Sequence, residues 1–288
     1  VSRVEGHGKV TLLIDDANKV QQVRLHIVEF RGFEKFIQGR PYWEVPVMVQ
    51  RLCGICPVSH HLAASKAMDI IVGAKHLTPT AEKVRRLMHY GQIMQSHALH
   101  FFHLCSPDLL FGFDSEVGKR NIVGVAEKYP ETARRGVLIR KFGQEAIRIT
   151  AGKRIHGTGA IPGGVNKSLS IEERDTLLKD VYQIIGWCRD AVHMARELHE
   201  TDPAMYNSFG IFRSHFMSLI GHNGEMDLYD GKLRARDEQG AIFFDGVPQA
   251  DYAKHIQEEV KSWSYMKFPF FTALGKEIGG VVVSQVVP

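Results

Sequence analysis

Arg51-Leu52-Cys53-Gly54-Ile55-Cys56-Pro57-Val58-Ser59-His60-His61 is the stretch on which the reading of this chain turns. It sets two thiols three residues apart and a histidine four residues beyond the second. A turn at Gly54 brings both sulfurs towards one point, the arrangement that a soft metal or a redox disulfide uses. Taken alone, the C-x-x-C leaves three readings open: a redox dithiol, half of a zinc site, or a chance pair.

The surrounding chain narrows the class. With 288 residues, 44% of them hydrophobic, it can bury a sizeable core in one large or two ordinary domains. The net charge of +4 is carried by scattered basic residues, with no arginine-rich arm or aromatic–basic stripe, which argues against nucleic acid as a partner. No apolar run approaches the roughly 18 residues of a membrane-spanning helix. Four cysteines in a chain of this length are not a disulfide framework, so a reducing cytoplasm is the expected setting.

Periodicity places the motifs. Val10, Leu12 and Ile14, then Val23, Leu25 and Ile27, alternate about Asp15-Asp16-Ala17-Asn18 and predict a β-hairpin with one buried face. A helix is expected from Leu62 to Val72, ended by Gly73. A longer one should follow, capped by Thr80, carrying His97, His100 and His103, and ended by Pro107. Val137 to Ala151 predicts another helix, followed by a glycine-rich loop to Val165. That loop lacks the G-x-x-x-x-G-K-[ST] pattern and a βαβ context, so nucleotide binding is rejected. Ser170 and Glu173 form a capping-box pattern, and the broad apolar stripe from Leu177 to Leu198 predicts a long helix deep in a bundle. Beyond Asp230-Gly231, short strands are expected. The fold class is α+β, mainly α, a long-helix bundle with peripheral hairpins. Cys105 and Cys188 lie in apolar stripes and read as core.

The longer pattern R-x-C-G-x-C-x-x-x-H resembles the amino-terminal metal-binding motif of [NiFe]-hydrogenase large subunits. Arg3-Val4-Glu5-Gly6-His7 and Phe30-Arg31-Gly32-Phe33-Glu34 resemble that family's R-x-E-G-H and F-R-G-x-E signatures, in the same order. Within the family, Val28 to Phe36, Cys56 to His61 and Ser264 to Pro269 are most similar to the cytoplasmic, NAD-reducing, bidirectional branch. The resemblance implies a nickel–iron centre, its iron carrying diatomic ligands, that splits dihydrogen heterolytically. It also implies a small subunit with iron–sulfur clusters and flavin-containing diaphorase subunits that reduce NAD. By the same resemblance, Cys53 is a terminal nickel ligand and Cys56 bridges nickel and iron. His60 hydrogen-bonds the bridging sulfur, Glu5 relays protons, and Glu34 ligates a magnesium-type ion.

Each residue has a plainer reading beside that one. The cysteines would be a metal-free redox or buried pair, His60 a helix-terminal histidine, Glu5 an exposed strand-end carboxylate, and Glu34 a salt-bridge partner of Lys35 or Arg31. His61 reads as structural, because the family pattern requires one histidine. Ser96 stands where the family often has an aspartate above the metals. The family's second cysteine pair, in a D-P-C-x-x-C segment, is absent, and the likeness lapses after about Leu274. The expectation is one incomplete large-subunit domain over 1–288, with a hairpin region at 1–34, a helical core at 35–200 and a mixed region at 201–288. Such a chain on its own is expected to be inactive. The competing classes are a non-catalytic relative akin to a complex I subunit, against which the two cysteines speak, and a C-x-x-C redox or zinc protein.

Overall fold

The computed structural model describes residues 3, 6–29, 32–211 and 213–274. It is mainly helical with small antiparallel sheets, the expected α+β class. Strands β1 (Gly8–Ile14) and β2 (Val20–Ile27) form the first hairpin, pairing Val10 with Leu25 and Leu12 with Val23. The turn between them is closed by Asp15, whose carboxylate accepts from the amides of Ala17 and Lys19. The Lys19 amide and then the Gln21 side chain, with a smaller contribution from the Ala17 amide, hold the Asp15 carboxyl below its ordinary value. The expected buried face is corrected here: Val10 and Leu12 are 60% and 57% exposed, so alternation set the pairing without a covering layer.

The helical part begins with the single turns α1 (Phe33–Phe36) and α2 (Val45–Met48) and a 3-10 turn at Val49–Leu52. Helix α3 (Pro57–Ile71) starts directly after the second cysteine. Helix α4 (Pro79–Leu99) is capped by Thr78, not Thr80, its hydroxyl accepting from the Ala81 amide at 3.3 Å. Pro79 explains the shift, since the residue before a proline is driven into the extended region that an N-cap occupies. Nor does Pro107 end the rod. A π turn at His100–Cys105 carries the chain into α5 (Ser106–Phe111), where Pro107 sits in a first turn that needs no N–H from it.

Helix α6 (Ile122–Lys128) leads into α7 (Pro130–Ala151), which is longer at its start than expected because Pro130 is pre-set for a first turn. α4 and α7 cross at glycines. A Cβ on Gly143 would lie 2.7 Å from the Gly91 carbonyl oxygen, and one on Gly91 3.0 Å from that of Gly143. Their close approach buries Met88 and Ile147 with Val58 and Leu62 of α3, at about 1.5–3 kcal/mol for each large side chain.

The glycine-rich loop contains a small hairpin, β3 (Ala160–Ile161) with β4 (Gly164–Val165). The capping box at Ser170 and Glu173 is present and opens α8 (Ile171–Leu178). The expected single helix breaks at Lys179–Asp180, and α9 (Val181–Thr201) follows. α9 is not deep in a bundle: only Ile184 is fully buried, and it joins Ala98, Phe102 and Ile139. Trp187, Cys188 and Ala191 pack on the same cluster, while Tyr182 and Val192 face away. Burial pushes the Cys188 thiol up, in keeping with its expected core role. Cys105 is partly buried, its sulfur 3.5 Å from His100 Nε2.

After α10 (Pro203–Ser208), strands β5 (Phe216–Ile220), β6 (Lys232–Arg236) and β7 (Ile242–Val247) form a three-stranded sheet. The turn α11 (Tyr252–His255) precedes the hairpin of β8 (Ile256–Val260) and β9 (Lys267–Phe271). Phe271 is buried among Ala235, Phe243 and Phe244. Contacts divide the described chain into two compact units. One joins the hairpin region up to 31 with 208 onwards, and the other spans 32–207. The first and last regions of the sequence reading therefore fold together. Within that unit, Ile27 N donates to Ser264 Oγ at 3.0 Å, Tyr265 N donates to the Ile27 carbonyl at 2.9 Å, and His26 Nδ1 donates to the Trp263 carbonyl at 2.7 Å.

Candidate metal centre

The thiol pair is placed by the junction between an extended residue and a helix start. Cys53 is extended (φ −147°, ψ 129°) and Cys56 is the N-cap of α3, with Pro57 in the first turn. The Cys56 amide, one of the helix's unpaired N–H groups, donates to Cys53 Sγ at 3.2 Å. Both cysteines are half-buried, and no cysteine of the chain forms a disulfide. Gly54 does not adopt the left-handed region, and a side chain there would meet nothing within 4 Å. The turn therefore depends on its hydrogen bonds rather than on glycine's conformational freedom.

Those bonds come from α4. The Ile55 carbonyl, between the cysteines, accepts from Gln92 Nε2 at 2.8 Å and Gln95 Nε2 at 3.0 Å. A second anchor lies behind the turn. His61 is fully buried, with Nδ1 2.8 Å from the Pro46 carbonyl and Nε2 accepting from the Ala160 amide at 3.1 Å. With both ring nitrogens engaged, His61 is a structural bridge from α2 to β3. A third anchor is Arg85, which is fully buried and binds the Asp69 carboxylate at 2.7 and 3.1 Å and the carbonyl oxygens of Ile161 and Gly164. Sequence reasoning missed Gln92, Gln95, Asp69 and Arg85. The available signal was polar residues at helical spacing inside the apolar seam Ala81, Val84, Met88, Gly91 and Ala98.

His60 lies four residues into α3 from Cys56 and is partly buried, and burial pushes its imidazole below the ordinary value. At neutral pH its ring is therefore uncharged, with one nitrogen to donate and one to accept. Burial, followed by the charge of Arg85, pushes His61 down as well. Glu34 stands in the first turn of α1 and is exposed. Glu5, the relay candidate, lies outside the described residues, while the neighbouring His7 pairs with Glu29 at 2.5 Å on the surface. His97 Nδ1 donates to the Ile93 carbonyl at 2.9 Å, a local bond within α4. Among the described residues, no group of three or more His, Cys, Asp or Glu side chains is placed to hold a metal ion. What they provide is two soft donors, with a hydrogen bond to one sulfur, a chemically fitting half of a thiolate site. No helix of the described residues is long and apolar enough to cross a membrane.

Known proteins share this fold. The NAD+-reducing [NiFe]-hydrogenase in its H2-reduced state superposes with a TM-score of 0.92 at 56% identity, over 96% of this chain and 61% of that one. The Ni-Fe-Se hydrogenase of D. vulgaris Hildenborough shares the fold, with a TM-score of 0.74 at 21% identity, over 94% of this chain and 62% of the other. The fold is that of a [NiFe]-hydrogenase large subunit. The nickel-dependent hydrogenase family model matches residues 31–111, and the HoxL-like model residues 1–30. The chain is 46% identical to the NAD-reducing hydrogenase HoxS subunit beta of Cupriavidus necator, over 98% of this chain and 60% of that protein. It is 41% identical to a polypeptide of the vhu F420-non-reducing hydrogenase of Methanocaldococcus jannaschii, over 96% of this chain and 65% of that protein. The chain belongs to the nickel-dependent hydrogenase large-subunit family, and it spans about three fifths of the length of these relatives.

Proposed function

We propose that this chain is part of the catalytic subunit of a cytoplasmic, NAD-reducing [NiFe]-hydrogenase. The observation that carries this reading is likeness along almost the whole chain, in sequence and in fold, to NAD-reducing hydrogenases. Cys53 and Cys56 would supply two of the thiolates that hold a nickel–iron centre. When bound, that centre supplies the redox chemistry by which dihydrogen is cleaved into protons and electrons.

The chain's own residues would manage ligands and protons. The Cys56 amide steadies the Cys53 sulfur, and His60, one helical turn beyond Cys56, would hydrogen-bond the Cys56 sulfur. Glu5 would move protons away from the thiolates, and Glu34 would ligate a magnesium-type ion. Electrons would leave through the iron–sulfur clusters of a small subunit to flavin-containing diaphorase subunits, where NAD is reduced, so nicotinamide would not touch this chain.

The test is metal analysis and dihydrogen-dependent NAD reduction in the complete complex. Nickel should be present, and Cys53→Ser or Cys56→Ser should remove both nickel and activity. Zinc in place of nickel would overturn the reading in favour of a C-x-x-C zinc protein. Glu5→Gln should keep nickel but lose most hydrogen–deuterium exchange activity, because an amide does not titrate.

A further inference from the structure

The peptide between Ile55 and Cys56 has both polar groups engaged. Its carbonyl oxygen accepts from Gln92 and Gln95, which fills its two lone pairs, and its N–H donates to Cys53 Sγ. The two glutamines are only 2% and 5% exposed. Burying two primary amides is unfavourable unless their donors are met, and both point at this one carbonyl. Being three residues apart, they project from the same face of α4. The Gly91–Gly143 crossing, next to Gln92 in sequence, sets how closely that face is backed by α7.

We propose that Gln92 and Gln95 are positioning residues for the thiol pair. They fix the plane of the Ile55–Cys56 peptide and, through its N–H, the direction of the Cys53 sulfur. The consequence for metal binding rests on the nickel reading above, whereas the clamp on the turn does not. Each glutamine contributes one donor, so loss of one leaves the peptide partly held and loss of both releases it. A released turn must be re-ordered each time the thiols take up a ligand, and preorganisation is lost.

The experiment uses the complete protein, with Gln92→Leu, Gln95→Leu, the double variant, and Thr150→Val as a control that removes a buried hydroxyl whose hydrogen bonds stay within α7. The first measurement is amide hydrogen exchange of the segment 52–56, made without metal. The second is the rate of nickel loss to a chelator, together with the position of the sulfur-to-nickel charge-transfer band. The double variant should exchange at the Cys56 amide about tenfold faster and lose nickel about tenfold faster, with a shifted band. The single variants should fall between it and the wild type, and Thr150→Val should match the wild type. Wild-type exchange at Cys56 in a folded double variant would overturn the clamp. If the double variant does not fold, wild-type exchange in both single variants would overturn it equally. Should the wild type hold no nickel, the metal reading fails while the exchange measurement still decides the clamp.

Discussion

Replacing Arg85 by methionine should destabilise the helical unit by about 3–5 kcal/mol, the range for removing one partner of a buried ion pair. The size follows from what Arg85 does. Its side chain is completely buried and that of Asp69 is 10% exposed, so the carboxylate left behind has little water to replace the guanidinium. Nη1 and Nη2 bind the carboxylate at 2.7 and 3.1 Å, Nε donates to the Gly164 carbonyl at 3.0 Å, and Nη2 donates to the Ile161 carbonyl at 2.7 Å. Asp69 also accepts from the Gly163 amide at 2.7 Å, so it gains no freedom to turn outwards without losing that bond. A whole domain has only about 5–15 kcal/mol of stability, which makes the loss a large share. Arg85→Lys keeps the charge but not the fork that reaches a carboxylate and two carbonyls, and should still lose about 2 kcal/mol. Urea unfolding of the complete protein at neutral pH, followed by far-ultraviolet circular dichroism, measures both. A methionine variant within about 1 kcal/mol of the wild type would show that the pair is not what pins the β3–β4 hairpin.

Three further outcomes are expected. Because His61 is held below its ordinary value of 6.5 in the folded state, the unfolded chain binds its proton first. The His61 contribution is therefore complete above pH 6.5 and is lost as pH falls from there towards the folded value, so the urea midpoint should drop on acidification and drop less in His61→Leu. Gly143→Ala places a Cβ 2.7 Å from the Gly91 carbonyl oxygen and 2.9 Å from the Gln95 backbone nitrogen. It should cost about 1–3 kcal/mol, seen as a lowered melting temperature. Ser170→Ala removes the hydroxyl that accepts from the Glu173 amide, which is its half of the capping box, at about 1 kcal/mol. Faster amide exchange confined to Ile171–Leu178 would report it.

Local rules carried the sequence reading where one residue decides an outcome. The β1–β2 hairpin follows from alternation, the start of α8 from Ser170 and Glu173, and the end of α7 at Gly152 from its left-handed conformation. The rules failed where burial depends on distant chain. The apolar residues of β1 and β2 alternate as a half-buried hairpin should, yet Val10, Leu12, Ile14, Val23 and Leu25 are exposed, and α9 carries a broad apolar stripe of which the two turns from Ile184 to Ala191 find a cover. Periodicity reports what a segment is able to bury, not what is there to bury it. The thiol pair was legible because its chemistry is written in residue type and spacing. Its supports were not, because an apolar-stripe reading passes over glutamine and arginine.

That omission locates the organising role of α4. Arg85, Gln92 and Gln95 lie on its buried seam at positions that an apolar residue would fill in an ordinary amphipathic helix. Seven residues of helix advance about 10 Å, so α4 holds the β3–β4 hairpin at one level and the thiol turn about 10 Å further along. Each polar group is matched to backbone oxygens of a segment with little regular structure of its own: Arg85 to Ile161 and Gly164, and the glutamines to Ile55. Backbone groups in such segments must be satisfied from outside, and a rigid helix satisfies them at fixed spacing. The glycine crossing with α7 lies between the two levels, at Gly91. A shift of α4 against α7 would therefore move both attachments together, and the crossing that resists such a shift sits one residue from Gln92.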